Sequence, residues 1–150
     1  MRAILQRVSW ANVKVAEEMI SEISRGYLIL LGVEKGDTEQ NAELLARKTL
    51  NLRVFEDTNE KMNLSLLDVD GEVLVISNFT LYADCKKGRR PSFINAQSPE
   101  IAKDLYDKYC DLLESGGAKS VKKGIFGADM QVGILNDGPV TIILDTKELV

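Results

Sequence analysis

The run at residues 73–81 constrains the fold of this chain more than any other stretch. Its first four residues, Val-Leu-Val-Ile, are all apolar, which predicts a strand buried on both faces. Ser-Asn-Phe-Thr follows, and a two-residue period would put Ser77 and Thr80 on opposite faces of that strand. If both hydroxyls serve one ligand, the strand must therefore bend or break near residue 78.

The polar residues of this run allow two interpretations. Hydroxyl and carboxamide side chains often satisfy backbone groups where a strand ends, and that role needs no ligand. The same side chains are also typical of a binding site at a strand end. The segment alone leaves both interpretations open.

The chain contains no histidine, which excludes several kinds of catalytic site. A His-dependent triad, a Cys-His dyad and the common zinc sites each need an imidazole. Catalysis would therefore depend on hydroxyls, carboxylates, lysines, backbone amides or groups of the substrate. Cys85 and Cys110 match no metal-binding spacing, so we expect two free thiols, no metal and no cofactor.

The formal net charge of −4 argues against a broad duplex-DNA binder, which would need many cationic contacts to phosphates. A smaller nucleic-acid footprint stays open, because basic residues cluster at 86–90 and at 119–123. Such runs are more often solvated loops. The apolar runs are too short to cross a bilayer and the first residues lack a secretory signal, so we expect no membrane partner and a cytoplasmic protein.

Hydrophobic periodicity predicts two helices and about eight short strands. One helix follows Asp37, whose spacing to Gln40 matches a capping box, and the other begins at Ser98-Pro99 and ends at Gly116. We predict an α+β fold, a single domain over residues 1–150 with a largely antiparallel, barrel-like sheet. The predicted strands are residues 2–8, 13–15, 20–23, 27–33, 53–55, 73–76, 132–135 and 140–144, with 119–123 a further candidate and a hairpin turn at 70–71.

Two further residues allow alternative roles. Arg7 shares a strand face with Ala3 and Leu5, so it either extends to solvent at the rim or pairs with a backbone carbonyl or an anion. Phe126, beside Gly127, is by sequence alone best interpreted as a core aromatic.

Eight blocks, in order along nearly the whole chain, resemble the D-aminoacyl-tRNA deacylase family. Each block alone is weak, but their shared order is highly specific. The family pattern Ser-Gln-x-Thr reads Ser77-Asn78-Phe79-Thr80 here, so the carboxamide sits on a side chain one methylene shorter. The blocks are residues 1–8, 30–33, 51–53, 61–65, 77–81, 89–93, 126–130 and 136–141.

The resemblance implies that residues 77–80 form the catalytic segment, with main-chain groups around the ester. It further implies a homodimer in which a cis Gly138-Pro139 bond enters the active site of the other subunit. There its carbonyls would hold the amino group of the substrate and exclude an L side chain. The implied substrate-binding residues are Arg7, Phe126, Gly127, Ala128, Met130, Asn136, Gly138 and Pro139, with Arg7 supporting the Gly-Pro segment and Phe126 stacking the terminal adenine.

The implied activity is hydrolysis of D-aminoacyl-tRNA, and of glycine on tRNA-Ala, at the 3′-terminal adenosine. An aminoacyl ester is already activated, so positioning and oxyanion stabilisation would suffice without an imidazole. The resemblance implies that the ribose 2′-hydroxyl takes part. Thr80 as a covalent nucleophile is the alternative, but no motif supplies its base. Two other functions stay open: a non-catalytic RNA-binding dimer module, and an editing domain for another misacylated tRNA.

Overall fold

The structure is a computed structural model, and it describes residues 1–149. It confirms the α+β fold class, with two helices and a sheet that nearly closes into a barrel. The strands are β1 (Arg2–Val15), β2 (Glu18–Ile23), β3 (Gly26–Gly32), β4 (Phe55–Glu56), β5 (Met62–Leu64), β6 (Glu72–Ser77), β7 (Ser120–Lys123) and β8 (Gln131–Asp145); the helices are α1 (Glu39–Asn51), a short 3-10 helix (Phe79–Tyr82) and α2 (Pro99–Ser115).

The main sheet has the strand order β2-β1-β3-β6-β7, and β8 also pairs with β1. Strand β1 is antiparallel to all three of its partners. Strands β3, β6 and β7 run parallel to one another. Strand β6 has a parallel strand on each side and an apolar cluster on each face, so it is buried on both faces, as the apolar run predicted. The turn at residues 70–71 is therefore not a hairpin, since β6 has no antiparallel neighbour.

Alternation along β3 and β6 divides the core between the two sheet faces. Tyr27 and Val73 point to the face covered by α1 and α2, where the larger apolar cluster lies. Leu28 and Leu74 point to the opposite face, into a second buried cluster. Because both faces are buried, the polar residues that follow β6 emerge directly from the core.

Helix α2 begins and ends as predicted, whereas α1 begins one residue late. The N-cap of α1 is Thr38, whose backbone N–H donates to the Asn41 side chain at 2.8 Å. The expected cap, Asp37, instead accepts from the N-terminal ammonium at 2.7 Å and from the N–H of Glu34 at 2.6 Å. The carboxylate of Asp37 therefore joins the chain start to the end of β3 and does not cap the helix.

Both cysteines are free, as expected, with Cys85 exposed and Cys110 buried. Burial raises the pKa of the Cys110 thiol to about 12.

None of the helices in residues 1–149 is long and apolar enough to cross a membrane.

The largest departure from the predicted strands concerns β1 and β8. Each is one long strand where the sequence predicted two short ones. Strands β1 and β8 pair with each other on both sides of an interruption in the pairing. Asn136 of β8 pairs with Val8, and Thr141 pairs with Gln6. Residues 137–140 therefore lie opposite Arg7 alone and form a bulge, not the hairpin loop that their composition suggests.

Candidate active site

The chain breaks from the strand near residue 78, as a ligand shared by Ser77 and Thr80 would require. The strand ends at Ser77 and the 3-10 helix begins at Phe79. The N–H of Asn78 donates to the Leu31 carbonyl at 2.8 Å, so its backbone still pairs with β3. Its side-chain oxygen accepts from the Thr80 N–H at 3.2 Å and from the Thr80 hydroxyl. Asn78 thus caps the 3-10 helix. For this residue, the interpretation that the polar side chains satisfy backbone groups at the strand end is confirmed.

The break leaves a backbone donor without a protein partner. Phe79 is the first residue of the 3-10 helix, where an N–H has no intrahelical acceptor. In residues 1–149 this N–H makes no hydrogen bond to a backbone or side-chain acceptor. The same part of the chain offers no hydrogen-bond partner to the Ser77 hydroxyl. Both groups are therefore free to bind a ligand.

A cavity of about 890 Å³ lies at this break, within the size range of small-molecule sites. It opens where the parallel strands β3 and β6 both end, so residues from the two strand ends meet there. Most of the lining side chains are apolar. The lining includes eight residues predicted for catalysis or binding, namely Ser77, Asn78, Phe79, Thr80, Phe126, Gly127, Ala128 and Met130.

Several other residues line the cavity that were not predicted to belong to the site. Lys35 follows the end of β3, and Gln97 and Ser98 precede α2. No local pattern in the sequence marks these residues as part of a site, because the cavity exists only where β3 and β6 end as neighbouring parallel strands. Phe93 also lines the cavity, with its ring 5.1 Å from that of Phe79 in an edge-to-face arrangement.

The connection between β7 and β8 forms one wall of the cavity. Phe126 is half-buried and its ring lies 5.9 Å from that of Tyr106, so it packs on the core and also lines the cavity. Gly127 has a φ of 77°, a backbone conformation that favours glycine. The Ala128 N–H donates to the Ile125 carbonyl at 3.1 Å, which closes a tight turn.

The bulge at residues 137–140 lies apart from this cavity. Arg7, Asn136, Gly138 and Pro139, which were predicted to bind substrate, are not among the lining residues. Within one chain the structure therefore divides the predicted site into a cavity and a bulge. The Gly138-Pro139 peptide bond is cis, as the resemblance implied.

Arg7 fixes the bulge from inside the protein. Its side chain is 4% exposed, so the interpretation as a rim residue is wrong. The guanidinium donates to the Val54 carbonyl at 2.7 Å and to the Asp137 carbonyl at 3.1 Å. Its Nε also lies 3.3 Å from the Asp137 carboxylate. These contacts match the alternative in which Arg7 pairs with backbone carbonyls.

Asn136 and Gly138 complete the fixed geometry of the bulge. The Asn136 carboxamide donates to the carbonyls of Arg7 and Val140, at 2.9 and 3.1 Å, and so spans the base of the bulge. Gly138 has a φ of 135°, and a Cβ there would lie 2.7 Å from the Val140 nitrogen. Only glycine fits this position without a shift of the backbone.

The charges at the cavity are few. Among residues 1–149, Lys35 and Asp129 are the only ionisable ones that line it. Within residues 1–149 no group of three or more Cys, Asp or Glu residues is arranged to hold a metal ion. The cavity is therefore an apolar enclosure lined by hydroxyl side chains and by Phe79, whose backbone N–H is unpaired in residues 1–149.

Comparisons with known proteins agree on one family. A family model described as D-Tyr-tRNA(Tyr) deacylase matches residues 4–145. The D-aminoacyl-tRNA deacylase of Clostridium beijerinckii is 56% identical over 147 residues, which are 98% of each chain. The D-aminoacyl-tRNA deacylase of Thermosipho melanesiensis is 52% identical over 149 residues, which are 99% of each chain.

Two solved structures share the fold. The c-Myc DNA Unwinding Element Binding Protein is 44% identical with a TM-score of 0.92, covering 97% of this chain and 98% of that chain. A probable eukaryotic D-amino acid tRNA deacylase is 18% identical with a TM-score of 0.80, covering 95% and 97%, and supports the fold alone. Because the family model and the full-length relatives agree, this chain belongs to the D-Tyr-tRNA(Tyr) deacylase family and is an enzyme of that family.

Proposed function

We propose that this enzyme hydrolyses the ester that joins a D-amino acid to the ribose of the 3′-terminal adenosine of tRNA. The products are the D-amino acid and free tRNA. The observation that carries the proposal is the unpaired N–H of Phe79 at the end of an apolar cavity. Relatives named D-aminoacyl-tRNA deacylase, more than 50% identical over nearly the whole chain, support the same substrate class.

The proposed mechanism needs no imidazole. An aminoacyl ester is activated, and the vicinal ribose hydroxyl lies beside its carbonyl carbon. The N–H of Phe79 donates to the oxyanion that forms when water attacks, while the ribose 2′-hydroxyl assists the water. Orientation and a preorganised donor are the largest contributions that an enzyme can make to such a reaction.

The terminal adenosine is proposed to bind along the wall that carries Phe126. The exposed part of that ring offers a face for the adenine, and stacking of a base on an aromatic ring contributes about 1–3 kcal/mol. Gly127 and Ala128 are small enough for the nucleoside to approach the backbone, and Met130 lines the same wall.

Selectivity for D-amino acids is proposed to come from a second copy of the chain. Since Gly138 and Pro139 do not line the cavity of their own chain, they reach a substrate only across a two-fold interface. In the proposed homodimer their carbonyls accept hydrogen bonds from the α-ammonium group and leave no room for an L side chain. D-amino acids and glycine fit, so glycine on tRNA-Ala is a further proposed substrate. Arg7 and Asn136 hold the bulge in place.

A deacylation assay with D-Tyr-tRNA, L-Tyr-tRNA and Gly-tRNA tests the proposal. We expect release of D-tyrosine and glycine and no release of L-tyrosine. A non-catalytic RNA-binding module would bind all three and release none. An editing domain for another misacylated tRNA would release L-tyrosine, or glycine alone, and either result contradicts the proposal.

A further inference from the structure

The segment between the 3-10 helix and Phe93 carries a dense group of cations beside the cavity. The backbones of Asp84 and Ser92 pair in antiparallel fashion, with N–H to carbonyl distances of 2.7 and 2.9 Å. Residues 85–91, here called the basic loop, project beyond this pair and are all exposed. The loop contains Lys86, Lys87, Arg89 and Arg90.

These four cations differ from many others on the surface. Lys103, Lys108 and Lys147 each lie within 3.5 Å of a carboxylate. In the described part of the chain, none of the basic-loop cations has an ion pair or a side-chain hydrogen bond. Acidic residues outnumber basic ones by 23 to 19, so carboxylates are not scarce. The loop therefore concentrates unpaired positive charge on an otherwise acidic protein.

The loop is attached to the cavity at both of its ends. The 3-10 helix, which lines the cavity with Phe79 and Thr80, ends two residues before Asp84. Phe93, which also lines the cavity, directly follows Ser92 and packs against Phe79 at 5.1 Å. Lys35 adds a further exposed cation among the lining residues. The basic loop and Lys35 therefore border the cavity on the side of Phe79 and Phe93.

We propose that the basic loop binds the phosphates of the tRNA strand that leads to the 3′-terminal adenosine. The inference rests on the proposed function, which puts that adenosine in the cavity. Gly88, at the middle of the loop, is four residues from Asp84 and from Ser92, a chain length of about 14 Å at most. A strand stacked as in a duplex carries one phosphate per about 3.4 Å of helix axis, so the loop spans at most roughly four nucleotides. Arg89 and Arg90 offer planar donor pairs that match phosphate oxygens.

The test compares two variants that each remove four positive charges. The loop variant is K86Q/K87Q/R89Q/R90Q. The control variant is K14Q/R47Q/K48Q/K61Q, whose residues are exposed, lie outside the cavity lining and both basic clusters, and have no ion pair within residues 1–149. Both variants change the net charge equally. A difference in tRNA binding between them therefore depends on where the removed charges lie and not on the total charge.

Binding of tRNA that carries no amino acid is measured by fluorescence anisotropy between 50 and 200 mM salt. Each phosphate contact on a single strand contributes about 0.7 to the slope of log affinity against log salt. We expect the loop variant to bind at least about tenfold more weakly at 50 mM salt, with a slope shallower by about 1.5–3. We expect the control variant to keep the wild-type slope. Equal losses in both variants, or no loss in the loop variant, would overturn the inference.

Two further measurements separate this inference from the proposed function. The loop variant should lose at least ten times more kcat/KM on D-Tyr-tRNA than on D-tyrosyl-adenosine, which has no phosphate. If the wild-type enzyme cleaves neither substrate, the proposed function fails, while the binding slopes still decide the role of the loop. Single-stranded DNA that binds as tightly as tRNA, with the same dependence on the loop, would identify a different polymer and overturn the assignment to tRNA.

Discussion

The side-chain oxygen of Asn78 accepts hydrogen bonds from both the N–H and the hydroxyl of Thr80. The Thr80 hydroxyl is therefore a donor to a neutral carboxamide, which is too weak a base to take its proton. This arrangement suits a residue that fixes the start of the 3-10 helix. It does not suit an activated nucleophile.

Thr80→Ala is accordingly expected to retain deacylation. Loss of one hydrogen bond of about 1 kcal/mol corresponds to a decrease in kcat of roughly fivefold, and Thr80→Ser should stay near wild type. Single-turnover kinetics on D-Tyr-tRNA measure the rate of deacylation. Mass spectrometry of the intact protein after acid quenching detects any acyl adduct. An acyl adduct on Thr80, or a loss above about 1,000-fold in the alanine variant, would establish the nucleophile role instead.

The parts of the site that follow from local sequence are predictable. Four apolar residues followed by Ser77 and Asn78 predict both the buried strand and its break, because apolar run length and polar residues at a strand end are local signals. Helix α2 is predictable for the same reason, since Ser98, Pro99 and Gly116 mark its ends.

The division of the site into cavity and bulge is not a local property. Residues 136–139 have the composition of an ordinary turn, and only the pairing of Asn136 and Thr141 with β1 makes the residues between them, 137–140, a bulge. That pairing depends on β1 continuing to Val15, which no residue between 9 and 12 signals. Lys35 reaches the cavity because β3 and β6 are neighbours, a contact between residues more than 40 positions apart. Gln97 reaches it because its N–H donates to the Val33 carbonyl at 3.0 Å.

Arg7→Lys tests whether the guanidinium holds the bulge. Lysine keeps the charge but cannot donate to the Val54 and Asp137 carbonyls together, so a buried acceptor loses its partner. We expect the free energy of unfolding to fall by about 1.5–3 kcal/mol, because hydrogen bonds to charged groups contribute that much. Urea denaturation measures this, with the exposed Arg47→Lys as control. Equal midpoints for the two variants would contradict the role.

Asp145 should make stability depend on acid pH. Burial acts to raise its pKa, but hydrogen bonds from the Lys147 N–H and from Arg2 prevail and lower it. A lowered folded-state pKa gives stability that is complete above the unfolded value of about 3.9 and is lost as pH falls through the folded value. The difference in unfolding free energy between wild type and Asp145→Asn should be constant from pH 7 to 5 and shrink below about pH 4.

Urea unfolding at pH 7, 5, 4 and 3 measures that difference. Asp104→Asn, at an exposed carboxylate with no ion pair in residues 1–149, is the control and should differ little from wild type at any of these pH values. A difference for Asp145→Asn that is as large at pH 3 as at pH 7 would contradict the assignment.

The proposed homodimer predicts complementation between two defective chains. Ala128→Trp obstructs the cavity and Gly138→Ala displaces the bulge, so each homodimer should be impaired. Random pairing makes half of the dimers mixed, and each mixed dimer has one intact cavity facing one intact bulge. In purified mixed dimers the one intact site should therefore give about half of the wild-type activity, above whatever cleavage either homodimer retains. No recovery in purified mixed dimers, or a fully active monomer in sedimentation, would contradict the shared site.

The last prediction concerns Gly138 and the chirality of the substrate. A Cβ at this residue would lie 2.7 Å from the nitrogen and 2.8 Å from the Cγ2 of Val140, so Gly138→Ala must shift the bulge. The cavity lining does not include this residue, so ester cleavage itself should survive in part. A displaced bulge would leave room for an L side chain, and the D/L ratio of kcat/KM on Tyr-tRNA should fall at least about tenfold.

Gly117→Ala is the matched control, because Gly117 also has a positive φ, of 109°, but lies at the end of α2 away from the bulge. It should lose stability without losing selectivity. Cleavage of Gly-tRNA by Gly138→Ala gives an internal reference, since glycine has no side chain for the bulge to exclude. If folded Gly138→Ala keeps the wild-type D/L ratio, the bulge does not select the substrate, because the backbone clash forces a shift there whether or not a substrate is bound.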